Sequence, residues 1–269
     1  AIDLRLFVAD VPPEGREIQP LAHVARLALA AADAPANPDW SIVLESNIPI
    51  ASGLGSGAAL STAMVRAIFA HAGREAIPDE TSALVLESER FYHGTPSGID
   101  NTVIALGEPI WFVKGKTAEV IEVGTAQDAE GTSESLTLLI ADNGVRSPTR
   151  EVVEGVKLRW IAEPARYNFL FNEIGMLAEQ ARSALAKGDP VRLGRIFDRN
   201  HRLLVEMGVG SPEVQTLVKA AHSAGVYGAK VSGAGKGGNV IALVRPRQVE
   251  HATEVLLSAG SKDVISTTL

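Results

Sequence analysis

From Pro49 to Ala63 the chain reads PIASGLGSGAALSTA, small residues that pass straight into a helix-spaced apolar pattern ending at His71. Glycines admit backbone angles closed to other residues, and a helix starting behind them presents unpaired N–H groups. Such a junction favours an anion, because the free amides and the helix dipole both attract negative charge. The segment predicts a glycine turn, a helix over 56–71 and a phosphate cradle where they meet. Walker A would need a lysine after the last glycine, and none follows. Gly53-x-Gly55-x-x-Ala58 fits the alanine form of the dinucleotide fingerprint, which also requires a strand about twenty residues on, ending in an acidic residue. REAIPDETS follows instead, a loop and a helix start. Taken alone, the segment can also be read, less often, as a glycine-rich turn without a ligand.

A second segment, ESERFYHGTPSGIDN at 87–101, sets Glu89 at the end of a helical pattern and Asp100 beyond a Pro/Gly reversal. Phosphoryl transfer uses an acidic ligand for magnesium and a carboxylate that positions or deprotonates the attacking hydroxyl. The reversal could bring both carboxylates to one cleft, although loop carboxylates commonly stay solvated or cap helices. His93 reads as a hydrogen-bonded structural histidine. A third segment, GVYGAKVSGAGKGGNVIALV, packs 6 glycines into residues 225–238 directly before an apolar strand, a density that implies close approach to something. Lys236 does not complete a Walker motif, because Lys230 stands where its first glycine belongs.

The rest of the pattern predicts strands at 40–45 and 136–142 and helices near 78–91, 149–163, 165–187, 190–207 and 212–224. DNTVIALG at 100–107 reads as helix or irregular, PIWFVKG at 109–115 as a strand, and 124–135 as a polar surface loop. Strands near 227–232, 238–244 and 263–268, with a helix near 246–259, close the chain. At 269 residues, about two domains are expected, with a boundary near 135. With 25 Lys and Arg against 32 Asp and Glu, and a pI near 5.4, the chain is a poor partner for nucleic acid or anionic membranes. It has no cysteine, which excludes disulfides, thiolate metal sites and a cysteine nucleophile. No apolar run is long enough to span a bilayer and no secretory signal opens the chain, so a cytoplasmic protein is expected. The first residues are Ala-Ile-Asp, not Met, so the natural start is expected upstream.

PIASGLGSGAA, HGTPSGIDN and GAKVSGAGKGG, in that order, resemble the GHMP small-molecule kinases. Within that superfamily the match is closest to the mevalonate kinase family, on ERFYHGTPSGIDN above all. SPTREVVEGV at 147–156 and NHRLLVEMGVGSP at 200–212 point the same way, and the resemblance runs from about Trp40 to the end. It implies an α+β, two-lobed GHMP kinase fold. The N-terminal lobe, at 1–134, would be ribosomal-protein-S5-like with a left-handed β-α-β arrangement. The C-terminal lobe, at 135–269, would be helix-rich with an antiparallel, ferredoxin-like sheet.

The implied reaction is ATP-dependent phosphorylation of mevalonate at its 5-hydroxyl, with Mg2+ as cofactor and ATP and mevalonate as small-molecule partners. A homodimer is also considered. By the resemblance, Ala51, Ser52, Gly53, Leu54, Gly55, Ser56 and Gly57 would wrap the ATP phosphates, with Ser46 a further nucleotide contact. Glu89 would bind magnesium, Asp100 would act as base, and His93, Thr149, Gly233, Ala234 and Gly235 would line the cleft. Two departures stand out. The family places two serines after Gly-Leu-Gly where this chain has Ser56-Gly57, so Ser56 or water must replace the second in holding metal. The family's N-terminal lysine motif does not precede Trp40, which implies an incomplete first lobe. The alternatives are another kinase or decarboxylase of the superfamily, acting on phosphomevalonate, homoserine or a sugar, and a non-catalytic nucleotide-binding relative.

Overall fold

The computed structural model describes residues 4–6, 19–35, 38–46, 48, 53–93, 96–127, 131, 133–145, 149–233 and 238–269. The chain divides into two units, one of Ala1–Ile50 with Leu54–Val120 and one of Ala51–Gly53 with Ile121–Leu269.

In chain order the first unit holds β1 (Leu4–Leu6), α1 (Gln19–Ala31), β2 (Ile42–Leu44), α2 (Ser56–His71), α3 (Pro78–His93), α4 (Ile99–Leu106), β3 (Ile110–Trp111) and β4 (Glu119–Val120). β1 pairs antiparallel with β2, and β3 with β4. The helix expected after the glycine turn runs over the predicted span, because its apolar residues recur on one face. Met64, Val65, Ile68 and Phe69 of α2 are buried against Leu21, Val24 and Leu29 of α1, Leu44 of β2 and Val85 of α3. Each large side chain so buried contributes about 1.5–3 kcal/mol. The strand predicted over 109–115 shrinks to Ile110–Trp111, since its chain turns at Gly115, which sits at φ +83°.

The second unit continues with β5 (Ala126–Gln127), β6 (Ser133–Glu134), β7 (Thr137–Asp142), α5 (Thr149–Ala162), α6 (Pro164–Ala186), α7 (Pro190–Glu206), α8 (Pro212–Ser223), β8 (Gly228–Ser232), β9 (Asn239–Val244), α9 (Val249–Ser258) and β10 (Asp263–Thr268). Proline opens α6, α7 and α8, where its missing N–H costs nothing. Asp189 and Ser211 cap α7 and α8 by accepting from the amides of Arg192 and Val214. The stretch 124–135 is not a simple surface loop. β5 pairs with β6, Ala126 is buried, and Gly124 packs against the turn between α6 and α7, where a Cβ would come to 2.7 Å from the Ala186 carbonyl oxygen.

β7, β8, β9 and β10 form one antiparallel sheet in the order β10-β7-β9-β8. With helices between β7 and β8 and between β9 and β10, this is the β-α-β-β-α-β ferredoxin-like topology. The sheet is covered on both faces. Leu139, Ala141, Val231, Val240 and Ala242 pack against α8 and α9, while Leu138 and Leu243, of opposite parity, join Leu177 of α6 and Leu193 and Ile196 of α7. α7 meets β8 at a pair of glycines, Gly194 and Gly228. A Cβ on Gly228 would collide with the backbone of Gly194.

Candidate active site

The turn before α2 is built as its glycines require. Gly53 stands at φ +81° and Gly55 at φ +68°, both in the left-handed region. Gly55 is the N-cap of α2 and no side chain caps the helix, so its leading amides meet no capping group. Ser56 and Gly57 are partly exposed at this end. Leu54 to Gly57 belong to the first unit, whereas Gly53 groups with the second, where it lies against Gly233. A Cβ on Gly53 would sit 3.6 Å from the Gly233 Cα. That is ordinary contact, and what favours glycine at both positions is the left-handed backbone, with Gly233 at φ +82°.

Asp100 is brought to the same turn. Gly98, at φ +91°, starts α4 and places Asp100 in its first turn, where a carboxylate also suits the helix dipole. A Cβ built on Gly55 would come to 3.7 Å from both Cβ and Cγ of Asp100, and to 3.1 Å from Cδ1 of Ile104. Asp100 is exposed, and so accessible to a ligand.

Buried polar side chains hold this arrangement. Asn101, 3% exposed, donates from Nδ2 to the carbonyl and hydroxyl oxygens of Ser82 at 3.1 and 2.8 Å, fixing α4 on α3. Arg66 of α2 donates to the Ala105 carbonyl at 2.9 Å. The Ser61 and Ser88 hydroxyls bond at 3.1 Å, tying α2 to α3 one residue before Glu89. Glu89 is 4% exposed, a burial that a carboxylate sustains only with partners. The hydroxyl of Ser46 accepts from the Ile48 amide at 3.1 Å and so shapes the chain after β2. The ties among α2, α3 and α4 leave no sequence signal, because polar residues on helices there look like a solvent face.

Of the other expected site residues, His93 is the last residue of α3 and Thr149 the first of α5. Ala51, Ser52, Ala234 and Gly235 lie outside the described residues. Among the described residues no three His, Asp or Glu gather as a metal cage, and no helix is long and apolar enough to cross a membrane.

This geometry matches known proteins in sequence and in fold. The GHMP kinases N terminal domain matches residues 21–108, and the GHMP kinases C terminal domain residues 181–262. A mevalonate kinase of Thermococcus sibiricus is 32% identical over 91% of this chain and 72% of its own length. The chain is a GHMP kinase. The family match begins at residue 21, so the resemblance extends upstream of Trp40 into α1. A mevalonate kinase of Aeropyrum pernix is 35% identical over 82% of this GHMP kinase, which spans 66% of that relative, just under two thirds. The structure of L. major mevalonate kinase in complex with R-mevalonate superposes with TM-score 0.77 at 25% identity, over 96% of this chain and 79% of that one. A Methanococcus jannaschii mevalonate kinase, at 22% identity and TM-score 0.76 over 97% and 78% of the two chains, shares the fold.

Proposed function

We propose that this GHMP kinase transfers the γ-phosphoryl group of ATP to the 5-hydroxyl of mevalonate, giving 5-phosphomevalonate for isoprenoid precursor synthesis. The observation that carries the reading is the carboxylate of Asp100 beside Gly55, at the uncapped start of α2. The choice of mevalonate is supported by relatives in the mevalonate kinase family. Residues 1–134 act as the phosphate, metal and base domain and residues 135–269 as its C-terminal counterpart.

The chemistry follows from the residues. Amides from Gly53 to Gly57 hold the ATP phosphates, with Ser46, Ala51 and Ser52 as further contacts. Asp100 accepts the proton of the 5-hydroxyl as that oxygen bonds to the γ-phosphorus and the bond to the bridging oxygen of ADP breaks. Positioning and charge stabilisation supply most of the rate. The buried carboxylate of Glu89 and the hydroxyl of Ser56 are the donors suited to Mg2+, which takes one or two protein oxygens and fills its shell with phosphate oxygens and water. Two such donors fit that need without a three-residue cage. When bound, magnesium neutralises charge on the transferring phosphoryl group. His93, Thr149, Gly233, Ala234 and Gly235 are assigned, by the resemblance, to further contacts with the substrates. The net charge of −7 suits a cytoplasmic enzyme of small metabolites, not a binder of nucleic acid or membrane.

The test is ADP release by the protein expressed from its complete gene, offered mevalonate, phosphomevalonate, homoserine and galactose in turn. Mevalonate should be preferred by at least about a hundredfold in kcat/KM, the scale on which a polar site rejects a mismatched substrate. Preference for another alcohol would replace the substrate, and ATP binding without turnover of any would favour a non-catalytic relative.

A further inference from the structure

β8 is an edge strand, and edge amides need partners. α7 lies along this edge with Gly194, Asp198 and His201 spaced i, i+4 and i+7 on one face. Gly194 lets the helix touch Gly228. The Asp198 carboxylate then accepts from the Ala229 amide at 3.0 Å, and His201 Nδ1 accepts from the Val231 amide at 3.3 Å. His201 is 6% exposed, with Gln215 of α8 beside its ring. Accepting at Nδ1 puts the proton of the neutral ring on Nε2, so the buried ring keeps one tautomer. Burial itself pushes His201 below the usual histidine pKa, which keeps the acceptor free of a proton. Beyond the glycine segment Asn143, 7% exposed, accepts at Oδ1 from the Gly238 amide at 3.2 Å. Side chains thus grip the backbone at Ala229 and Val231 before Gly233, and again at Gly238.

We infer that Asp198 and His201 are positioning residues for the nucleotide site, holding the edge of β8 so that Gly233, which follows it, keeps its approach to Gly53. The inference rests on the reading of the glycine segment at 233–238 as lining the ATP site. Neither residue need touch the nucleotide. His201 belongs to NHRLLVEMGVGSP, whose role the proposed chemistry leaves open, and a buried imidazole that bonds a strand amide provides one.

The experiment uses the complete protein and two variants, His201→Ala and His201→Asn. Asparagine carries an oxygen where Nδ1 stands and can accept from Val231, whereas alanine cannot. Amide hydrogen exchange over 228–233 and ATP affinity by calorimetry are read on each. With alanine, exchange at Val231 should accelerate and ATP should bind about tenfold or more weakly, the scale for a buried donor left without its acceptor. Asparagine should restore both, and the alanine variant should lower kcat for its alcohol less than it raises KM for ATP. Faster exchange with ATP affinity unchanged would overturn the positioning role and leave the kinase reading standing. An original protein that binds no ATP would overturn the kinase reading, while exchange at Val231 would still report the grip of His201. If alanine does not fold at 201, Asp198→Ala, which leaves the Ala229 amide without its acceptor, gives the same readouts. Faster exchange at Ala229 with unchanged ATP affinity there would also overturn the proposal.

Discussion

Asp100 stands against Gly55 so closely that a single added Cβ on the glycine would touch the carboxyl carbon, at 3.7 Å. The residue proposed as base and Gly55, at the start of α2, are therefore neighbours within one unit, set there by the left-handed glycines that open α2 and α4.

Asp100→Asn keeps the shape of the side chain but cannot accept a proton. Because Asp100 is exposed, the melting temperature should stay within about 2 °C, as for other surface changes. Turnover should fall by roughly 10²–10⁴, the usual worth of general-base help. A variant within threefold of the parent in kcat would remove Asp100 from the chemistry.

Glu89→Gln removes charge from a buried site while conserving volume and hydrogen bonding. The magnesium concentration giving half-maximal rate should rise by about tenfold or more, since Mg2+ is bound through few carboxylates. A magnesium titration that overlays that of the parent would return Glu89 to a structural role.

Crowding at the turn can be separated from backbone strain by two glycines. Gly73 is at φ +72° with nothing within 4 Å of a built Cβ, whereas Gly55 is at φ +68° with Ile104 at 3.1 Å and Asp100 beyond. Gly73→Ala should cost about 1–2 kcal/mol, the left-handed penalty alone, and leave activity intact. Gly55→Ala should cost more and impair ATP binding as well. Equal stability losses with equal activities would mean that the turn has room its geometry does not show.

Lys230 offers a test through pH. Burial pushes its ammonium down to about 8, with its Nζ donating to the Val231 carbonyl at 2.8 Å. The unfolded value is higher, about 10.4. The unfolded chain thus binds more protons between those values, so stability rises with pH across that window and the penalty is fully present below it. Lys230→Met should raise the melting temperature at pH 7, with the gain shrinking as pH climbs from about 8 towards 10.4. A gain that is flat across that range would show that the charge is not what costs stability.

Much of this architecture is legible in the chain, and the exceptions have physical causes. α2 and α3 follow from clear apolar spacing between glycine and proline stops, and the strands of the ferredoxin-like sheet from apolar runs too short for helices. α1 was not read. Its sequence QPLAHVARLALAA is so rich in alanine that one face contrasts little with the other, and it carries no acidic residue in its first turn. The sequence suggests that the Pro/Gly reversal could bring Glu89 and Asp100 to one cleft; the closeness of Asp100 to Gly55 comes from the structure alone. The ties that fix it, Ser61 to Ser88 and Asn101 to Ser82, could not be foreseen, because pairing between helices leaves no period in either. Asp198 and His201 escaped for the same reason. At i, i+4 and i+7 with Gly194 they look like an ordinary polar face until the edge of β8 is laid against them.

The most direct measurement is phosphorus-31 NMR of the complete protein incubated with ATP, magnesium and mevalonate. The expected result is one phosphomonoester resonance, coupled to the two protons of the C5 methylene, growing in step with ADP and missing with Asp100→Asn. ATP consumed without that ester, or an ester formed equally well by the Asp100→Asn variant, would contradict the assignment of the base at Asp100 and the alcohol it serves.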